Sequence, residues 1–277
     1  MEFLIILIVA LLPAALLWWY IWKKDLKKEP TKWLVKATCY GVLICIPVAI
    51  LELLISTILF YPDGNPTTLI GTTANAFLVA AIPEETFKLF ALWLVLRKNP
   101  YFDEHFDGIV YAVCIGLGFA AIENVGYLFD NIENWMSVAF LRSLMAVPGH
   151  YAFAILMGYY YSKDHFVDHS RKTAVLIIAA PVLAHGLYDA LLMTSMVNVV
   201  LGGVCFVITL ILVCKLHVYA RKKVLSMIDT DNYFGGGVLN FMMPEVEKVD
   251  GDFEMPETGM DSDKTDVFHD NEDVNRN

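Results

Sequence analysis

"IPEETFKLF", residues 82–90, lies inside an otherwise apolar run from Leu69 to Leu96. Glu84 and Glu85 are adjacent carboxylates, and Lys88 follows one helical turn later. Ionisable side chains of this kind cost about 2.5–3.5 kcal/mol each at the centre of a membrane helix. Yet the run is long enough to cross a bilayer, which takes roughly 20 residues. The stretch therefore reads as a membrane helix carrying an ionisable cluster at mid-depth. Six further runs of spanning length accompany it.

Those runs cover about 3–22, 35–60, 107–129, 136–161, 174–195 and 197–218, beside 70–96. The composition agrees: 57% of the 277 residues are hydrophobic and 18% charged, with a mean hydropathy of +0.54. A soluble domain is closer to a quarter charged. The fold class expected is all-α, a polytopic transmembrane helical bundle of about seven spans embedded in the lipid bilayer. The first run lacks a basic segment before it and is followed at once by lysines, which fits a retained helix rather than a cleaved signal.

Charge placement orients the bundle. "KKDLKKEPTKWLVK" (23–36) carries six lysines, Arg97 and Lys98 follow the third run, and "SKDHFVDHSRK" (162–172) follows the fifth. Lys215 and "RKK" (221–223) close the seventh, whereas the loops 61–68, 129–135 and 193–198 contain no Lys or Arg. Basic loops stay cytoplasmic, so the N-terminus is expected outside and the C-terminus inside.

The net charge of −10 resides in the tail, because residues 224–277 hold 14 acids against Lys248, Lys264 and Arg276. The organisation expected is a membrane domain over 1–223 and a disordered acidic cytoplasmic tail over 224–277, dispensable for chemistry. Nothing in this balance suits nucleic acid. The five cysteines all fall within the runs without a CxxC pair, and read as buried, inert thiols.

Within the runs the ionisable set is Glu52, Glu84, Glu85, Lys88, Glu123, Arg142, His150, His185 and Asp189. Lys88 is i+4 from Glu84 and i+3 from Glu85, so both can reach it. Neighbouring carboxylates diverge by about 100° on a helix, so one is expected to face the interior while Lys88 neutralises the other. Pro83 frees a carbonyl one turn earlier and loosens the helix there. His185 and Asp189 share a face at i, i+4, either as two metal ligands or as an imidazole oriented by a carboxylate. His150 follows a Pro-Gly break, and Phe119, Glu123 and Asn124 stand together on the fourth run. Counting about 1.5 Å per residue from the loops puts the whole group in the middle to outer half of the bilayer.

These pieces resemble the PrsW-type intramembrane metalloproteases, which are related to the type II CAAX prenyl endopeptidase and bacteriocin-immunity group. The pattern is Glu-Glu-x-x-Lys at Glu84–Lys88, Phe-x-x-x-Glu-Asn at Phe119–Asn124, then His150, then His185-Gly-Leu-Tyr-Asp189. "PAALLWWYIWKKDLKKEP" (13–30) is similar to the family's first span and its Asp-x-x-x-x-Pro loop. The resemblance covers roughly residues 3–220 and implies peptide-bond hydrolysis in a bacterial cell (inner) membrane. The substrate it implies is a membrane-anchored protein such as an anti-sigma factor, cut first on the extracytoplasmic side. It further implies a divalent metal, Zn²⁺ by this reading, on His150 and His185 with Glu123 or Asp189. Catalysis would rest on Glu84, Glu85 and His185, with either Glu as general base, supported by Lys88, Asn124 and Asp189.

Three alternatives stand beside it. A CAAX-type prenyl endopeptidase wants an Arg four residues after the second Glu and a Phe-x-x-x-His motif, where Lys88 and Glu123 stand instead. An ion-coupled transporter would use the same carboxylates and histidines as a relay, but the two halves show no repeat. A catalytically silent scaffold would differ only in activity and metal content.

Overall fold

The computed structural model describes residues 2–60 and 66–234. Loop positions 61–65 and the acidic tail beyond Phe234 lie outside the described residues, as does the disorder expected of that tail. Among the described residues all regular structure is helical. The order is α1 (Glu2–Lys24), α2 (Thr31–Leu59), α3 (Leu69–Ala74), α4 (Ile82–Leu96) and α5 (Asp107–Asp130), then α6 (Trp135–Leu144), α7 (Ala146–Phe166), α8 (Arg171–Met193) and α9 (Val199–Phe234). A π-helical stretch, Asn75–Ala81, joins α3 to α4, and single 3₁₀ turns precede α6 and α9.

Among the described residues six helical segments are long and apolar enough to cross a membrane. The third expected span, 70–96, is present as a continuous helical path from Leu69 to Leu96, but its middle is wound wide. Pro83 explains why. Its ring cannot sit against the carbonyl one α-turn back, and it has no N–H to give, so the preceding turn opens. The Ile82 N–H accordingly reaches back five residues to the Phe77 carbonyl.

The fifth expected span is two helices, with the break at Met145 (φ −125°, ψ −59°). The Pro148-Gly149 pair does not form the break. Pro148 is the third residue of α7, in the first turn, where its missing N–H would have no partner anyway. α9 continues beyond the 223/224 boundary to Phe234, and its 36 residues make about 54 Å of helix against a hydrocarbon core of about 30 Å.

α5 is the axis of the bundle. It packs against α1, α2, α4, α6 and α7, and is buried along its first 14 residues. α1 and α2 keep large apolar side chains such as Phe3, Leu16, Ile46 and Leu53 on their outer faces, as lipid contact demands. Two of the five cysteines, Cys39 and Cys214, share that outward exposure, contrary to the expectation of burial.

Bundle helices have no water-driven attraction for one another in lipid, so close backbone approach through small residues carries the packing. A Cβ on Gly41 would fall 2.1 Å from the Ile115 carbonyl oxygen, and one on Gly118 would fall 2.4 Å from that of Thr38. These reciprocal contacts lock α2 onto α5.

The basic loops gather at one end of the bundle. Lys27 pairs with Asp103 at 2.8 Å, Tyr111 donates to Glu29, and Phe102 meets the His165 ring at 4.7 Å. Asp231 near the end of α9 accepts from the His105 and Phe106 backbone N–H groups at 2.7 and 2.8 Å. Asp25 and Glu29, from the Asp-x-x-x-x-Pro loop, are buried at this end.

Candidate metal centre

Glu84 and Glu85 open α4 directly after the wide π turn and Pro83, and both are buried, Glu85 completely. Lys88 does not choose between them. Its Nζ lies 2.9 Å from Glu84 Oε2 and 2.8 Å from Glu85 Oε1, so both carboxylates turn inward, contrary to the expected division. A four-carbon stem one turn away spans the 100° between them.

The two histidines arrive from α7 and α8. Gly186 lets α8 approach the π stretch so closely that a Cβ there would lie 2.3 Å from the Phe77 ring. That approach brings the neighbouring His185 to Glu85, with Nδ1 2.9 Å from Oε1. The His150 and His185 rings stand 5.2 Å apart and nearly perpendicular, and Phe153 stacks on His185 at 4.8 Å.

Both imidazoles are pinned the same way. His150 Nε2 is 2.7 Å from Glu123 Oε2, and His185 Nε2 is 3.2 Å from Asp189 Oδ2. Each ring thus has its Nε2 against a carboxylate and its Nδ1 on the opposite side, that of His185 against Glu85 Oε1 at 2.9 Å and that of His150 against Lys88 Nζ at 3.2 Å. Nδ1 is the nitrogen a metal would take. A carboxylate behind a histidine is the usual outer arrangement of a metal site, fixing tautomer and orientation.

Glu84, Glu85, His150 and His185 each offer a donor atom within 4.8 Å of the others, and all four are buried. One ion with bonds of about 2.0–2.4 Å can join donors so spaced. Glu85 Oε2 is buried with no hydrogen-bond partner, which a bound cation would satisfy. The residues present therefore fit a divalent metal.

Glu123 and Asp189 stand outside this quartet, each behind one imidazole. Asn124, expected to support the chemistry, faces away: its Nδ2 donates to the Ala10 carbonyl of α1 at 2.7 Å. Its Oδ1 accepts from Arg142 Nε at 2.8 Å, while Arg142 Nη2 reaches Glu123 Oε2 at 2.9 Å and the guanidinium covers Tyr127 at 3.9 Å. Arg142 belongs to the ionisable set legible in the sequence, but no motif there gives it a role. The only signal for its pairing with Glu123 is that each needs an opposite charge. A cavity of about 490 Å³, lined among others by Glu52, Glu84, Glu123, Arg142, His150 and His185, opens onto the cluster.

The chain as a whole is similar to known proteins. The profile of the PrsW family intramembrane metalloproteases matches residues 29–214. Protease PrsW of Oceanobacillus iheyensis is 36% identical over 188 residues, covering 68% of this chain and 82% of that one. Protease PrsW of Clostridioides difficile is 32% identical over 191 residues (67% and 78%), and that of Bacillus subtilis 32% over 180 (64% and 78%). No solved structure matches significantly. A helical multi-pass bundle with a buried Glu/His cluster, matched by this profile over two-thirds of its length, belongs to the PrsW family of intramembrane metalloproteases, and the chain is a membrane peptidase.

Proposed function

We propose that the chain is a zinc-dependent endopeptidase that cuts a membrane-anchored protein from the extracytoplasmic half of the cell membrane, with Glu84, Glu85, His150 and His185 as its reaction centre. One observation carries this reading: two histidines, each with Nε2 against a carboxylate, stand with two buried glutamates so that one donor atom of each lies within 4.8 Å of the others. A divalent metal bound there supplies Lewis acidity to the scissile carbonyl and acidifies a water to a pKa near 7.

The protein's own residues do the rest. Glu84 lines the cavity and Glu85 does not, so Glu84 is the base that takes the water proton and returns it to the leaving amine. Glu85, fully buried, holds position through Lys88 and His185. Glu123 and Asp189 keep the imidazoles in register, and Asn124 with Arg142 holds Glu123.

Depth supports access from outside. Glu84 lies 12 residues before the end of α4, Glu123 and His150 each lie 16 residues from the basic-loop end of their helices, and His185 lies 14. At about 1.5 Å per residue the cluster stands about 18–24 Å from the end that carries the basic loops. That end is cytoplasmic in this reading, with the N-terminus outside and the C-terminus inside. A membrane-anchored regulator such as an anti-sigma factor, cut first on its outer side, suits a site at this depth.

The test combines metal analysis with cleavage. Purified wild type should carry about one metal per chain, with the occupancy after purification lowered in His150→Ala and His185→Ala as their affinity falls. Glu84→Gln and Glu85→Gln should each abolish cleavage of a reconstituted single-span substrate while the protein stays inserted. Full cleavage by both Gln variants would remove the Glu pair from the chemistry.

A further inference from the structure

Lys88 brings a cation into the centre itself. Its Nζ lies 2.9 Å from Glu84 Oε2, 2.8 Å from Glu85 Oε1 and 3.2 Å from His150 Nδ1. An ammonium has three N–H bonds, and these three acceptors belong to three of the four residues whose donor atoms converge. The conflict falls on His150. Its Nε2–H is directed at Glu123 at 2.7 Å, so the ring keeps one lone pair, on Nδ1, and that lone pair points at Lys88. One lone pair cannot serve an ammonium and a metal together.

We propose that Lys88 is a built-in counter-cation that competes with the metal for His150 Nδ1, so that loading the centre requires the ammonium to leave that nitrogen. The inference rests on the metal-dependent peptidase reading and concerns how the metal enters. Without metal, two adjacent buried carboxylates need a positive charge, and breaking a buried pair by deleting one partner is strongly destabilising. Lys88 fills that need, which lets the chain fold and insert before loading. When it leaves Nδ1 it has a seat at hand. The Phe119 ring centroid is 4.3 Å from Nζ, close enough for a cation–π contact while the ammonium still holds a carboxylate.

A lysine that merely neutralised the site from a fixed position would also weaken metal binding, through charge repulsion. The two arrangements separate in a double-mutant cycle, because only competition makes the effect of Lys88 depend on His150. Co²⁺ affinity would be read from its absorption spectrum on the detergent-purified full chain: wild type, Lys88→Met, His150→Ala and the double variant. Lys88→Met should bind Co²⁺ at least about tenfold tighter than wild type, given the +1 charge removed from within a few ångströms. In the His150→Ala background that gain should shrink at least about fivefold.

Lys88→Gln runs in parallel, because its amide can still donate to the carboxylates should Lys88→Met fail to fold, and it should shift affinity in the same direction. Equal gains in the two backgrounds, or no gain in either Lys88 variant while wild type binds Co²⁺, would overturn the competition and leave the metal site standing. Absence of Co²⁺ binding in every variant would overturn both.

Discussion

Glu123→Gln is the perturbation that separates a metal ligand from a residue behind one. A single oxygen, Oε2, faces both His150 Nε2 at 2.7 Å and Arg142 Nη2 at 2.9 Å. A Gln carbonyl can occupy the same place and accept both bonds, so shape and tautomer survive while the negative charge is lost. Removing an outer partner of a metal-binding histidine typically costs 10–100-fold in metal affinity or activity. Because the bond itself remains, Gln should fall at the low end, about tenfold or about 1.4 kcal/mol. Glu123→Ala, which frees the imidazole and leaves Arg142 with only Asn124 and Tyr127, should reach about 100-fold. Chelator competition would give the Zn²⁺ affinity, with His150→Ala as the standard for loss of a true ligand. If Glu123→Gln fell as far as His150→Ala, Glu123 would be a direct ligand. If even Ala left affinity within about threefold of wild type, the orienting role would be wrong.

Three other parts of the fold carry expected outcomes of their own. Gly118→Ala forces a Cβ to 2.4 Å from the Thr38 carbonyl and should lower thermal stability in detergent by about 1–3 kcal/mol, whereas Gly126→Ala, with open space around it, should be neutral or stabilising by up to about 1 kcal/mol. Burial pushes the Glu29 carboxyl from 4.5 up to about 7, with the Asp25 charge adding to it and the Tyr111 hydrogen bond opposing. The folded chain thus holds a proton that the unfolded chain releases, so this stability is complete below pH 4.5 and lost as pH rises through about 7. Melting curves across that window should slope downward, and Glu29→Gln should flatten them and gain on the order of 1 kcal/mol at pH 8. Truncation after Phe234 should leave cleavage intact. Truncation after Lys223 removes the Asp231 bonds to His105 and Phe106 and should cost about 1–3 kcal/mol in a denaturation series.

The features legible in the sequence are those that scale with residue number alone. Span length, loop charge and depth are linear in sequence. The runs therefore lie almost where the helices are, and Glu84, Glu123, His150 and His185 all come out in the middle to outer half of the bilayer. Pro83 announces the loosened turn, because the proline ring acts on its own helix whatever surrounds it. Pro148 does not break its helix, because a proline's effect depends on its distance from the helix start, and that start is fixed by packing at Met145.

The pairings within the site are harder to read, because they depend on rotation between helices. On α8 alone, Asp189 can be a ligand or can sit behind His185, and nothing in an i, i+4 spacing chooses. The choice is made by α7, whose His150 repeats the same relation with Glu123 from a different helix, 27 positions away. Two imidazoles each tied at Nε2 leave two Nδ1 atoms, and those converge only because Gly186 admits α8 against the π stretch that Pro83 opens. A larger residue at 186 should therefore disturb the centre through the distance from His185 Nδ1 to Glu85, now 2.9 Å, without touching any group that takes part in the chemistry. Gly186→Val, measured for Zn²⁺ affinity beside thermal stability, is expected to lose at least about tenfold in affinity, as for the loss of an orienting contact. Affinity at the wild-type level in a folded Gly186→Val protein would show that the convergence does not depend on that approach.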